Sequence, residues 1–110
     1  MNIETRDLKH VTIVTITGRV DSATAPELQQ TLQGLIDTNR PRIVLDLQAT
    51  EYLSSAGLRV IIALLRATRQ RGGELRLAQP TPRVREVLDL AGLTPLFHIH
   101  ADVVEAVGSF

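Results

Sequence analysis

The first part of the chain has a hydrophobic pattern with a period of two. Valine or isoleucine alternates with threonine in Val11-Thr12-Ile13 and again in Val14-Thr15-Ile16-Thr17. This alternation and the high content of β-branched residues are typical of a half-buried strand. The stretch from Ile3 to Asp7 predicts a shorter edge strand, and Leu8-Lys9-His10 would form the hairpin turn between the two. Gly18 is expected to end the second strand. The chain therefore opens with a predicted β-hairpin.

The pattern then changes to helical spacing. Thr24 and Glu27 are three apart, as in a capping box, in which the threonine hydroxyl accepts from the Glu27 amide and the carboxylate reaches back to the Thr24 amide. Pro26 fits the first turn because its missing N–H has no helical partner there. One apolar face is predicted to continue to about Thr38. It is formed by Ala25, Leu28, Leu32, Leu35 and Ile36.

The rest of the chain alternates short apolar strands with helices. A buried strand is predicted from Arg42 to Leu47. Ser54 or Ser55 begins a helix that reaches about Arg71, and Gly72-Gly73 stops it. The later predicted elements are a strand at Leu75 and Leu77, a helix from Thr81-Pro82 to Gly92, a last strand from Phe97 to His100, and a short helix capped by Asp102.

This order of elements predicts an α/β fold. Strands that alternate with helices are joined by parallel crossovers, whereas the opening hairpin is antiparallel. We therefore expect one domain over residues 1–110, with a mixed five-stranded sheet and about four helices.

Composition narrows the possible functions. The chain has no cysteine, which excludes disulfides, thiolate metal sites and cysteine nucleophiles. Twelve basic and twelve acidic residues balance, so no net field attracts nucleic acid or an anionic membrane. The longest apolar run, Val60 to Leu65, is far shorter than the roughly 20 residues of a membrane span. With no apolar signal segment at the N-terminus, we expect a soluble cytoplasmic protein.

Catalytic and metal-binding patterns are weak. His98 and His100 would face the same side of a strand, but a third ligand is lacking unless His10 supplies it. Gly72-Gly73 lacks the spacing of a phosphate-binding loop. Ser55 has Leu53 where a nucleophile elbow has its first glycine, and it has no evident acid or histidine partner. We therefore expect no enzyme activity, metal, cofactor or small-molecule substrate.

One segment has a more specific pattern. The predicted strand that ends near Leu47 is followed by a short loop and then by Ser54 and Ser55 at a helix start. Ligand and partner sites in open α/β sheets cluster beyond the carboxyl ends of parallel strands. One serine is explained as a helix N-cap. If Ser54 is the cap, Ser55 occupies the first helical position with its hydroxyl free.

Four motifs in order resemble the STAS family, specifically the bacterial anti-sigma factor antagonists. Ser54-Ser55-Ala56-Gly57-Leu58 resembles the family's Asp-Ser-Ser/Thr-Gly-Leu at a helix start, with Ser54 in place of the aspartate and Ala56 in place of the second hydroxyl. The other three are Gly18-Arg19-Val20-Asp21, Gly72-Gly73-Glu74-Leu75 and Leu90-Ala91-Gly92-Leu93. The similarity extends over about residues 2–105.

This resemblance implies a partner-switching function. In that family the unphosphorylated protein binds an anti-sigma factor that is also a serine kinase, and so releases a sigma factor. Phosphorylation of a serine at this helix start ends the binding, and a PP2C-type phosphatase reverses it. When Gly57-Leu58 is aligned with the Gly-Leu of the family motif, Ser55 is the expected phosphorylation site, and Ser54 is the second choice. The alternative is a STAS scaffold that is not phosphorylated, such as a regulatory subunit of a transporter.

The resemblance and helical spacing together define an expected partner surface. Arg59 and Arg66 follow Ser55 along one helix stripe, and small apolar residues lie beside it. Val60 and Ala63 could belong to this docking strip or complete the helix–sheet core. Asp21 should lie near Ser55, either as a partner-binding residue or as a turn aspartate. The expected partner-binding residues are Asp21, Ser54, Ser55, Ala56, Gly57, Arg59, Val60 and Ala63.

Overall fold

The computed structural model describes all residues from 1 to 110. The strands are β1 (Asn2–Leu8), β2 (Val11–Val20), β3 (Arg42–Asp46), β4 (Thr50–Leu53), β5 (Glu74–Ala78) and β6 (Ile99–His100). The helices are α1 (Ala25–Asp37), α2 (Ser55–Gln70), α3 (Pro82–Leu90) and α4 (Val103–Gly108), with a 3₁₀ turn at Thr94–Leu96. None of the helices is both long and apolar enough to cross a membrane.

The sheet is mixed, as predicted. Its main strand order is β1-β2-β3-β5-β6, in which β1 is antiparallel to β2 and the later pairs are parallel. A further strand, β4, pairs in parallel with the last residues of β2. The α/β class, the opening hairpin and the four helices are confirmed, and the sheet gains one strand over the five expected.

The additional strand corrects two predictions about the middle of the chain. Gly18 does not end β2, because the strand continues to Val20 after a shift in register between Gly18 and Arg19. Gly18 has a φ of +97°, which glycine adopts without strain, and its amide donates to the carbonyl oxygen of Ala49 at 2.9 Å. This bulge turns the end of β2 away from β3 and toward Thr50–Leu53, which were expected to be part of a loop.

The capping box at the start of α1 is also corrected. The Thr24 hydroxyl accepts from the Asp21 amide at 2.9 Å and donates to the Arg19 carbonyl at 3.0 Å, so it makes no cap hydrogen bond to Glu27. The Glu27 amide instead donates to the Thr24 carbonyl oxygen at 3.1 Å. The other N-caps are as predicted: Thr81 accepts from the Val84 amide and Asp102 from the Glu105 amide.

The two faces of the sheet are covered unequally. Alternate residues of β3 show this: Ile43 and Leu45 belong to the large core shared with α1, α2 and α3, whereas Val44 faces a small cluster with Val11 and Ala106 of α4. Three helices therefore cover one face and a single short helix the other.

Both edges of the sheet carry features that discourage pairing with another chain. The last strand was expected from Phe97 to His100, but β6 has only two residues because the preceding 3₁₀ turn leaves Phe97 as its C-cap. At the opposite edge, β1 is mostly exposed and carries Glu4, Arg6 and Asp7. Short strands and charged edges are known protective devices.

The pair Gly72-Gly73 ends α2, but the second glycine has a further role in packing. The amide of Glu74 donates to the Pro41 carbonyl at 3.1 Å, which draws the two loops together. A Cβ on Gly73 would lie 2.6 Å from the Cβ of Pro41 and would also overlap its carbonyl group. In contrast, a Cβ on Gly34, in the exposed middle of α1, would meet no atom within 4 Å.

We therefore predict opposite effects for two glycine-to-alanine substitutions. Gly73→Ala should lower the free energy of unfolding by roughly 2–3 kcal/mol, because backbone must move to admit the methyl group. Gly34→Ala should raise it by about 0.5–1 kcal/mol, because alanine is the better helix former. Urea denaturation of the two variants measures both effects. Equal stability of Gly73→Ala and the parent chain would contradict the close approach at Pro41.

Candidate functional site

The candidate site is formed where the parallel strands β2 and β4 end side by side. Val20 is in register with Leu53, and the Ser54 amide donates to the Val20 carbonyl oxygen at 2.9 Å. The next residue in each chain segment, Asp21 and Ser54, therefore leaves the same edge of the sheet. The structure thus brings together the Asp21 turn and the start of α2, as the sequence predicted.

The two serines occupy different positions at the start of α2. Ser54 is the N-cap: its Oγ accepts from the Gly57 amide at 3.2 Å, and its carbonyl oxygen accepts from the Leu58 amide at 2.9 Å. Ser55 is the first helical residue, it is exposed, and its hydroxyl makes no hydrogen bond within the chain. Of the two hydroxyl groups, only that of Ser55 is thus exposed and free of hydrogen bonds within the chain.

Gly57 allows α2 to start this close to the strand ends. A Cβ at this position would lie 2.7 Å from Leu53 Cδ1 and 2.8 Å from Val20 Cγ1, both of which are buried. Any larger residue would push the first turn of the helix away from β2 and β4. The glycine therefore fixes the positions of Ser54 and Ser55 by packing, and it presents no side chain to a partner.

Asp21 is held in a tight turn. Its Oδ1 accepts from the amides of Ala23 at 3.0 Å and Thr24 at 3.2 Å. Desolvation raises the pKa of this carboxyl group, but the amide hydrogen bonds from Thr24 and Ala23, the Thr24 hydroxyl and the positive charge of Arg19 outweigh it. The net result is a pKa below the ordinary value for aspartate. Asp21 therefore has the structural role of a turn aspartate, next to the strand end that anchors Ser54.

The predicted docking strip on α2 lies along a shallow groove against α1. From α2 the groove is lined by Ala56, Arg59, Val60 and Ala63, and from α1 and its preceding turn by Ser22, Ala25, Pro26 and Gln29. Ala63 and Arg59 are exposed, whereas Val60 is half-buried and packs against the main core. Val60 therefore fits the interpretation as part of the helix–sheet core, whereas Ala63 lies at the surface, as a residue of a docking strip would.

A cluster of side chains beside the site was missed from the sequence. The Arg19 guanidinium lies 4.4 Å from the ring centroid of Tyr52, and that of Arg83 lies 5.7 Å from it. Both distances are within the range of cation–π attraction. Arg19 and Tyr52 are in register across β2 and β4, so only recognition of β4 could have revealed the pair.

The histidines do not come together as ligands. His100 Nδ1 lies 3.0 Å from Glu105 Oε1, and His98 is exposed. No group of three or more histidine, aspartate or glutamate side chains has the arrangement of a metal site.

Comparison with known proteins agrees with this architecture. The sequence model of the STAS domain matches residues 2–106. BtrV of Bordetella bronchiseptica, which is named as an anti-sigma factor antagonist, is 38% identical over 98 residues, covering 89% of this chain and 84% of BtrV. The crystal structure of an anti-sigma factor antagonist from Mycobacterium paratuberculosis superimposes with a TM-score of 0.88 at 27% identity, covering 98% of this chain and 92% of that one.

A third comparison concerns a protein solved in a modified form. SpoIIAA of Bacillus in its phosphorylated form has a TM-score of 0.78 and 17% identity, with 98% of each chain covered. At this identity the similarity concerns the fold.

The lowered pKa of Asp21 predicts a pH-dependent contribution to stability. An aspartate whose folded-state pKa is depressed stabilises the fold above its unfolded pKa, about 3.9, and loses this effect as the pH falls through the folded value. Asp21→Asn retains an amide oxygen that can accept the same hydrogen bonds but removes the charge. Urea unfolding should therefore find the variant less stable than the parent chain near pH 7, with a difference that shrinks below about pH 4. A difference that stayed constant down to pH 3 would show that the Asp21 charge does not contribute.

Proposed function

The chain belongs to the STAS domain family, and we propose that it acts as an anti-sigma factor antagonist. In its unphosphorylated form it binds an anti-sigma factor that is also a serine kinase, and this binding releases a sigma factor. Phosphorylation of Ser55 ends the binding. Two findings support the proposal: relatives such as BtrV carry the same functional name, and the chain matches the family model over nearly its whole length.

The observation on which the switch depends is the free hydroxyl of Ser55. Ser54 already serves as the N-cap of α2, since its Oγ accepts from the Gly57 amide. A phosphate on Ser54 would disturb that cap, whereas Ser55 points away from the core and has no polar partner to lose. Ser55 is therefore the proposed phosphorylation site, and Ser54 the second choice.

The fold should tolerate this modification. A phosphoserine adds about 1.5 to 2 negative charges near pH 7. The start of a helix favours negative charge by about 0.3–1 kcal/mol when exposed, because free amides and the helix dipole point toward it. There is no acidic residue in the first turn of α2 to oppose the phosphate. The modification therefore acts on recognition by the partner, and the domain stays folded.

The effect on the partner is electrostatic. Arg59 lies one turn after Ser55 along α2. Arg19 at the end of β2 and Arg83 in the first turn of α3 both lie against the Tyr52 ring on β4. In the unmodified protein this surface presents cationic groups, which a partner of complementary charge can contact. A phosphate would offset about two of these three positive charges and would have to be desolvated on docking. A loss of one to two orders of magnitude in affinity needs only about 1.4–2.8 kcal/mol.

The departures from the family motif fit this scheme. Serine and aspartate are both good N-caps, so Ser54 retains the cap function of the aspartate that the family pattern has there. It also removes a negative charge from the position next to Ser55, which lowers the repulsion felt by an incoming phosphate. Ala56 leaves a single free hydroxyl in the motif and lines the groove between α1 and α2.

The proposal has consequences for cellular context. A protein that competes for an anti-sigma factor acts in the cytoplasm, where a PP2C-type phosphatase would restore the unmodified serine. The protein is a kinase substrate and a binding module, and Ser55 is not a catalytic nucleophile. Labelling of Ser55 by a serine-reactive phosphonate would contradict this assignment.

Two matched serine variants test the choice of phosphorylation site. Incubation with the cognate anti-sigma kinase and ATP should place phosphate on Ser55 in the parent chain and in Ser54→Ala, and none on Ser55→Ala. Ser54→Ala should be less stable by about 0.5–2 kcal/mol because it loses the cap, whereas Ser55→Ala should unfold like the parent chain. Phosphopeptide mapping and urea denaturation measure the two effects. Phosphate on Ser54 alone would reassign the site.

A binding measurement tests the switch itself. Ser55→Asp should bind the anti-sigma factor at least tenfold more weakly than Ser55→Ala, which should bind like the unmodified protein. Calorimetric titration of each variant with the same partner gives both affinities. Equal affinities would reject the switch, and a bound partner that phosphorylates neither serine in the presence of ATP would favour the STAS scaffold that is not phosphorylated.

A further inference from the structure

A pocket at the opposite end of the sheet combines several basic side chains. It lies where the parallel strands begin, and the loops before β2, β3 and β5 line it. Its volume is about 290 Å³, and none of its lining residues is hydrophobic. The lining residues are Lys9, His10, Asn39, Arg40, Pro41, Arg42, Arg71 and Gly72. The site of Ser55 lies at the other end of the same strands, so this pocket is separate from it.

Three of the four cationic side chains in this pocket have no partner within the protein. Arg40 pairs with Asp7 at 3.3 Å and donates from Nε to Thr12 Oγ1 at 2.9 Å, so it is neutralised and fixed. Lys9, Arg42 and Arg71 are exposed and form no salt bridge. In a chain with equal numbers of basic and acidic residues, this is a local excess of positive charge.

The ends of nearby helices do not cancel this charge. Both α1 and α2 end at this side of the molecule, and each helix C-terminus carries a partial charge of about −0.5. Together they offset about one of the three free cations. A net charge of about +2 therefore remains, which matches the charge of a phosphate monoester near neutral pH. Arginine forks also fit phosphate oxygens in pairs.

An apolar recess adjoins the basic pocket and shares three of its residues. Lys9, His10 and Arg42 line both spaces. The recess has a volume of about 560 Å³ and lies between the start of the sheet and the end of α4. Its hydrophobic lining consists of Leu8, Val11, Val107 and Phe110. It exists because the single short helix on this face leaves the sheet partly uncovered. Small-molecule sites typically combine such an apolar wall with a few convergent polar groups.

We propose that these two adjoining spaces form a binding site for a phosphate monoester with a short apolar body. The phosphate contacts Arg42, Arg71 and Lys9, and the apolar body lies against Val107, Phe110 and the neighbouring strand residues. Neither space alone accounts for the arrangement: the basic pocket has no hydrophobic lining residue, and the recess has only Lys9 and Arg42 of the three unpaired cations. The site is independent of phosphorylation at Ser55.

The test uses hexyl phosphate as the probe. Inorganic phosphate and hexanol, which correspond to its charged and apolar parts, serve as comparisons. The ¹⁵N-labelled protein is titrated with hexyl phosphate, inorganic phosphate and hexanol at constant ionic strength. Hexyl phosphate should bind at least tenfold more tightly than inorganic phosphate, with amide shifts concentrated at Lys9, His10, Arg42, Val107 and Phe110. Equal affinity for hexyl phosphate and inorganic phosphate, or shifts confined to other residues, would overturn the proposal.

Point variants with matched controls test the basic pocket and the apolar recess separately. Arg42→Gln and Arg71→Gln should each weaken hexyl phosphate binding about tenfold, or about 1.4 kcal/mol. Arg66→Gln, which removes another exposed charge of α2 that does not line the pocket, should change it less than twofold. Phe110→Ala should weaken binding of hexyl phosphate but not of inorganic phosphate, and the control Leu90→Ala should affect neither. Unchanged affinity in Arg42→Gln and Arg71→Gln would show that the basic pocket does not bind the phosphate.

Discussion

The start of α2 is fixed by one hydrogen bond and one close contact, and the candidate site depends on both. The Ser54 amide donates to the Val20 carbonyl oxygen, and Gly57 packs directly against the Val20 and Leu53 side chains. Because Val20 is the last residue of β2, the helix begins where the strand ends. Asp21 stiffens the outgoing turn by accepting two amide hydrogen bonds. The exposed Ser55 is thus carried by a rigid junction of buried residues, although nothing holds its own side chain.

This junction places a hydroxyl group that stabilises the fold next to the one proposed for the switch. Ser54 contributes its hydroxyl to the helix cap, and Ser55 keeps its hydroxyl free. A modification at Ser55 can change the electrostatic surface at little cost to the fold, since it breaks no hydrogen bond. The arginines are divided in a similar way. Arg40 and Arg69 form ion pairs with Asp7 and Glu74, whereas Arg42, Arg59 and Arg71 remain unpaired at the surface. Although the chain has no formal net charge, unpaired positive charges therefore lie at both ends of the sheet.

The sequence predicted those parts of the fold that local chemistry determines. The period of two in β2, the apolar face of α1, the N-caps Thr81 and Asp102 and the exposed position of Ser55 follow from residue spacing and capping preferences. The errors come from long-range strand pairing and, at Thr24, from a competing local turn. Gly18 was expected to end β2, but it forms a bulge after which β2 continues and pairs with β4. Thr24 has capping-box spacing, but its hydroxyl is already bonded to Asp21 and Arg19. The cluster of Arg19, Tyr52 and Arg83 requires both β4 and α3 to be in place, so no local pattern indicated it.

The two edges of the sheet limit how a partner can recognise this protein. β6 is only two residues long, and β1 presents Glu4, Arg6 and Asp7 along its exposed length. A partner that added its own strand to either edge would find few main-chain groups at the first and charged side chains at the second. Main-chain pairing is largely independent of side-chain identity, so without it the selectivity of the proposed partner binding would depend on the side chains of α2 and the adjoining loops. Related proteins with the same backbone could then coexist in one cell and keep separate partners, since a few surface substitutions would be enough to distinguish them.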